Sequence, residues 1–214
     1  LQEELGNKPG IARCLSNLGG LAFVQGDQEG ALALTEQSLA LRRELGDKLG
    51  IGACLGNLGL LHYNRQAYQS ARTLYEEGLV VQQELGNKRG IAMGLSNLAL
   101  VAHAEGAQAS ATELFYRSLQ VNHELGNRRE ICGCLIGLAR LSDEAGRAVR
   151  LVAAAQALAE AIGAVFWPAY QRLSEETLAD ARTQLDEPRF ALCWEEGHRL
   201  PLEEAIAYAL EEAG

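Results

Sequence analysis

The phrase Glu-Leu-Gly-Asn-Lys, or a near copy of it, begins at Glu4, Glu44, Glu84 and Glu124, a spacing of forty residues without slippage. A period of that length constrains the fold more than any other feature. Each unit is then one supersecondary element that cannot bury its own apolar face and has to stack on its neighbours. Aligned on the phrase, Ile11, Leu15 and Leu18 stand over Ile51, Leu55 and Leu58, over Ile91, Leu95 and Leu98, and over Ile131, Leu135 and Leu138. That spacing is a stripe along one side of a helix. Gly6, Gly46, Gly86 and Gly126 suit the left-handed residue just past a helix, and Asn7, Asp47, Asn87 and Asn127 suit the N-cap of the next one.

A second break falls inside each unit, at Gln25-Gly-Asp, Asn64-Arg-Gln, Glu105-Gly-Ala and Glu144-Ala-Gly. A second stripe follows it, through Ala31, Leu34 and Leu39 and their equivalents. Each unit therefore reads as two helices of about seventeen residues joined by tight turns. Small residues at Gly19, Gly59, Ala99 and Ala139 are expected to face Ala31, Ala71, Ala111 and Ala148, letting the helices of a hairpin approach closely. The last unit is short, because its closing glycine, Gly163, comes thirty-seven residues after Gly126. The chain also opens inside a unit, which suggests a piece of something longer.

The Leu-Gly or Leu-Ala pair of the first helix, the alanine of the second, and Tyr75 and Phe115 four residues after it resemble the tetratricopeptide signature of the forty-residue type. The resemblance implies an all-α fold, a right-handed superhelical α-solenoid of helix hairpins over residues 1–163. Residues 164–214 are read as a separate C-terminal helical cap, because the period stops and both tryptophans and three of the four prolines appear there. Helices are expected from Pro168 to about Leu185, from Asp186-Glu-Pro to His198, and from Pro201 to near Glu212. Trp167, Phe190, Trp194 and Tyr208 are expected to seal the open end of the stack. The run from Leu185 to Leu200 and the helix after it resemble the C-terminus of bacterial STAND-class ATPases, including LuxR-type transcriptional regulators. That resemblance implies a sensing arm whose nucleotide and DNA modules lie upstream, with a possible intramolecular contact to an NTPase module.

Composition supports the helical reading and narrows the function. Of 214 residues 48% are hydrophobic and 22% charged, which is enough for an ordered core. Aromatics are only 6%, against abundant Ala, Leu, Glu, Gln and Arg. A formal charge of -9 argues against binding a phosphate backbone through this segment. No leader, membrane-spanning run or lipidation motif is present, so a cytoplasmic setting is the default expectation. Cys14, Cys54 and Cys134 share one repeat position and read as small buried residues.

No catalytic, cofactor or metal site is expected. The four histidines are scattered. Cys132 and Cys134, two apart on a helix, diverge by about 200°. The acidic pairs Glu76-Glu77, Glu175-Glu176 and Glu203-Glu204 read as solvated faces, and Lys8, Lys48, Lys88 and Arg128 as solvated turn residues.

One series rises above this background. Asn17, Asn57 and Asn97 immediately precede a leucine of each first helix at identical phase, and Gly137 breaks the series in the fourth unit. A primary amide offers donors and an acceptor together, so it pairs with a peptide backbone. The resemblance implies that this surface is a concave groove for a protein or peptide, or a small inducer, with Arg13, Ser16, Phe23, Tyr63, Ser96 and His103 around the amides. The alternative is that each amide bonds a neighbouring helix and only sets the twist. The rival to a regulator arm is a constitutive adaptor or self-associating scaffold.

Overall fold

In a computed structural model that describes residues 7–211, the chain is all-α, with eleven helices and no strand among the described residues. The helices are α1 (Lys8–Val24), α2 (Gln28–Leu45), α3 (Lys48–Asn64), α4 (Tyr68–Glu84), α5 (Lys88–Ala104), α6 (Gln108–Glu124), α7 (Arg128–Arg140), α8 (Ala145–Ala161), α9 (Pro168–Gln184), α10 (Glu187–His198) and α11 (Leu202–Leu210). They fall into two compact units, divided between Glu105 and Gly106.

The turns between units form as the repeated phrase demands. Gly46, Gly86 and Gly126 have φ of 66°, 62° and 62°, the left-handed conformation that ends a helix without a side-chain penalty. Gly6 lies outside the described residues. Asp47 and Asn87 then cap the following helices by accepting from the backbone N–H of Gly50 and Gly90, at 3.0 and 3.3 Å. Asn7 and Asn127 stand at N-caps but make no such bond. The Asn127 amide instead donates to Asn122 Oδ1 at 3.1 Å, as the Asn87 amide donates to Gln82 Oε1 at 2.7 Å. These bridges stitch the last turn of one helix to the start of the next. Lys8 and Lys48 do more than solvate their turns: each reaches a glutamate of the repeated phrase, Glu44 and Glu84, at 2.8 Å. Exposed pairs of this kind contribute at most about 1 kcal/mol each.

In the first unit α1 pairs with α2 and α3 with α4, and α2 and α4 also pack on α3 and α5. The core runs through Ala22, Ala31, Leu32, Leu39, Cys54, Leu55, Leu58 and Leu61. Hairpin closeness follows the small residues: a Cβ on Gly19 would stand 3.4 Å from the Ala31 carbonyl and 2.8 Å from Thr35 Oγ1. At Gly59 the facing group is the Tyr75 ring, 2.4 Å from where a Cβ would be.

Cys14 departs from expectation. It is exposed, whereas Cys54 and Cys134 are buried. Leu18 and Leu21 are likewise exposed, at 51% and 53%, while their equivalents Leu58 and Leu61 are at 3% and 4%. The equivalents are covered by α2, the second helix of the preceding repeat, and among the described residues no second helix precedes α1. Position in the stack, and not residue type, decides burial.

In the second unit α8 is buried almost all round, from Val149 through Ala155, because α7, α9, α10 and α11 all pack on it. The closest approach is to α10, where a Cβ on Gly197 would lie 2.2 Å from the carbonyl oxygen of Arg150. Phe190 is buried with Cys193 against Val149 and Ala181, and its ring stacks on Trp194 at 6.4 Å. Tyr208 packs its ring under the Arg147 guanidinium at 4.8 Å. Trp167 does not join this core: it is 54% exposed. It precedes Pro168, which disfavours helical backbone in the residue before it, and it is extended at φ -62°, ψ 146°. Tyr170 fills the place instead, 6% exposed and lying where a Cβ on Gly133 would meet its ring.

The fourth unit departs from the expected break at Glu144-Ala-Gly. α7 ends at Arg140 after 13 residues, and α8 already begins at Ala145, so Gly146 is helical. The shortening therefore lies ahead of the break, in the last turn of the first helix.

Candidate functional site

Asn17, Asn57 and Asn97 are the tenth residues of α1, α3 and α5, all in the first unit. Asn17 and Asn57 are exposed and Asn97 is half-buried. None of the three amides makes a hydrogen bond among the described residues, so none is spent on tying two helices together. Asn57 lines a small hollow of about 70 Å³ with Gly20 and Phe23 of α1. Asn97 lines another, of about 20 Å³, with Gly56 of α3 and Gly90 and Met93 of its own helix. Two of the amides thus border the seams between successive first helices. Gly19 and Gly20 line the first hollow and Gly52, Gly56, Gly90 and Gly94 the second.

The residues expected around the amides divide. Arg13 is exposed and lies four residues before Asn17, one turn away on the same face. Ser16 and Ser96 turn inward. Ser16 Oγ lies 2.8 Å from Ser38 Oγ on α2, and Ser96 is only 3% exposed. Each serine directly precedes its asparagine, and adjacent helical residues diverge by about 100°, so an outward amide forces the serine toward the core. Phe23 packs against the core of the first unit. Tyr63 is half-buried with its ring 5.6 Å from Tyr68. His103 is half-buried, and its Nδ1 is buried without a hydrogen-bond partner among the described residues. The structure brings Phe23 and Asn57 into one hollow, and Tyr63 and His103 line neither of the two.

The series stops at Gly137 for a packing reason. A Cβ there would lie 2.4 Å from Cζ of the fully buried Phe115 ring, so no asparagine fits. Tyr75, which holds the same repeat position as Phe115, is buried too, and burial pushes its phenol well above the ordinary pKa. Burial likewise pushes the Cys132 thiol up to about 12, which leaves it protonated and unreactive at neutral pH.

Charged groups at the edges of the stack pair across successive repeats, a feature the sequence reading missed. Arg65, which caps the C-terminus of α3, reaches back to Glu29 on α2, and Glu105, which caps α5, pairs with Arg72 on α4. The Glu105 hydrogen bond raises the Arg72 pKa above its ordinary value. Their common signal was position, since each pair joins a first-helix C-cap to the early turns of the preceding second helix. Among the described residues no group of three metal-ligating side chains occurs, and no helix is long and apolar enough to cross a membrane.

Comparison with known proteins bears on the fold. Residues 10–84 match the family model described as tetratricopeptide repeat. The fold is similar to the crystal structure of BtubC (BKLC) from P. vanneervenii, with a TM-score of 0.57 and 17% identity over 91% of this chain and 68% of that one. At that identity the likeness is one of fold. No curated protein matches the chain.

Proposed function

We propose that the chain is a noncatalytic protein-binding scaffold whose first-helix face, carrying Asn17, Asn57 and Asn97, holds an extended segment of a protein partner. The observation that carries this reading is the state of the three amides: they recur at one helical position, and among the described residues none makes a hydrogen bond. Each can donate to a peptide C=O and accept from a peptide N–H at once, and each bond adds about 1 kcal/mol. Repetition supplies the affinity: packed helices lie about 8–10 Å apart and an extended strand rises about 3.3 Å per residue, so every third residue or so of the strand meets the next amide. Arg13 gives one end of the face a positive charge, and Phe23 and Tyr63 offer apolar flanks. Tetratricopeptide repeats generally mediate protein–protein interaction, which supports the scaffold reading of residues 10–84.

A peptide library selected on the immobilised chain tests it. Selected peptides should lose at least tenfold in affinity for a folded triple variant, Asn17→Ala with Asn57→Ala and Asn97→Ala. Unchanged binding by that variant would remove the amides from the mechanism.

The finer reading places the chain as the sensing arm of a bacterial signalling or transcriptional regulator, with binding biasing an inactive state toward an active one. It is supported by the sequence pattern of α10 and α11. Such a switch requires different affinities for the two states. Reading the full-length sequence upstream of Leu1 tests that placement: an NTPase phosphate loop there would support it, and further repeats alone would support a constitutive adaptor.

A further inference from the structure

The second unit contains a hollow of about 420 Å³ between α6, the α7–α8 loop and α11, lined by residues that include Ala109, Thr112, Glu113, Tyr116, Asp143 and Arg147. Its origin is legible in the repeat. In the first unit the equivalent places are closed by ion pairs, Arg65 with Glu29 and Arg72 with Glu105. On α6 the positions of Glu29 and Arg72 are held by Ala109 and Thr112, eighty and forty residues on. On α7 the C-cap position of Arg65 and Glu105 is held by Leu141, and the helix is a turn shorter. Both halves of the closing pair are gone, and the space they filled is open.

The charge left around the hollow is mostly negative. Arg147 is 9% exposed, and its Nη2 is committed to the carbonyl oxygens of Ala209 and Glu211, at the negative end of the α11 dipole. Glu113 on α6 and Asp143 in the α7–α8 loop are both exposed and make no ion pair among the described residues. Tyr116 adds a ring face that attracts cations, and the hydroxyls of Thr112 and Ser142 add acceptors. Leu138, Leu141 and Ala109 supply the apolar wall for a short aliphatic chain.

We propose that this hollow binds a small organic cation, a guanidinium or primary amine on a short aliphatic chain, with Glu113 and Asp143 holding the charge. The ligand replaces the arginine side chain that closes the same junction in the first unit. The volume lies within the usual range for small-molecule sites, about 300–1,000 Å³.

Agmatine is the probe and glutarate the control, titrated calorimetrically against the chain at low ionic strength, where partly exposed charges are least screened. Agmatine should bind and glutarate should not. Glu113→Gln with Asp143→Asn should weaken agmatine at least tenfold. Thr112→Arg, which restores a guanidinium to its place in the second repeat, should abolish binding while leaving the urea midpoint at or above that of the parent. Absence of agmatine binding, equal binding by the double variant, or binding of glutarate in place of agmatine would each overturn the proposal. None of these substitutions touches Asn17, Asn57 or Asn97, so peptide binding by the first unit is an independent readout.

Discussion

The guanidinium of Arg147 on α8 donates from Nη2 to the carbonyl oxygen of Ala209 at 3.1 Å, and so holds the end of a helix sixty-two residues further along the chain. The same nitrogen reaches the Glu211 carbonyl at 2.8 Å, and the Tyr208 ring lies against the guanidinium. A buried cation thus caps α11, supplying donors to carbonyls that a helix end leaves unpaired. Arg147→Met keeps the aliphatic bulk and removes those donors. It should lower stability by about 2 kcal/mol, the scale of hydrogen bonds to a charged group, with hydrogen exchange accelerating first in α11. Uniform acceleration across the second unit would mean that the contact does not hold α11 in particular.

Leu18 and Leu58 occupy one repeat position, yet they are 51% and 3% exposed. Leu58→Ala should cost about 2–5 kcal/mol in urea unfolding and Leu18→Ala less than about 1 kcal/mol. Equal losses would show that α1 is covered in solution.

Tyr75 is buried with its phenol pKa raised from 10.0 by desolvation. A raised native pKa means that the unfolded chain releases its proton first, so the stabilising contribution is intact below pH 10 and is lost as the pH climbs above it. Tyr75→Phe, which copies the phenylalanine found at position 115, should therefore match the parent at pH 7 and unfold less readily than the parent above pH 10. The check is a comparison of urea midpoints across that range.

Gln66 adopts φ of 60°, while Gly26 and Gly106 fill the same turn position in the neighbouring repeats with φ of 82° and 78°. Left-handed backbone costs a side-chain-bearing residue about 1 kcal/mol. Gln66→Gly should accordingly raise the melting temperature by a few degrees, and a fall would mean that the Gln66 side chain contributes more than its backbone costs.

Much of this fold was legible from the period. The hairpin boundaries at Gly46, Gly86 and Gly126 could be read because a left-handed residue and an N-cap are local requirements that a few adjacent side chains satisfy. The cap helices from Pro168 and Glu187 were legible because proline suits the first turn of a helix. The candidate face was legible in part: the phase of Asn17, Asn57 and Asn97 assigned one helical position, but the inward turn of Ser16 and Ser96 needed the partner helix. Trp167 stays exposed while Tyr170, which the pattern did not single out, is buried, because a pattern of aromatics does not say which ring the backbone aims at the core.

By itself the sequence determined the unit, its two helices, the turns between them and the register that repeats the asparagines, because each depends on residues close along the chain. Tertiary structure decided what the register could not: that Cys14 is bare while Cys54 is covered, that Phe115 leaves no room for an asparagine at 137, and that the third junction opens where Arg65 and Glu105 close the others. Burial and ion pairing join residues from different helices, and identical repeat positions acquire different surroundings according to what is stacked beside them.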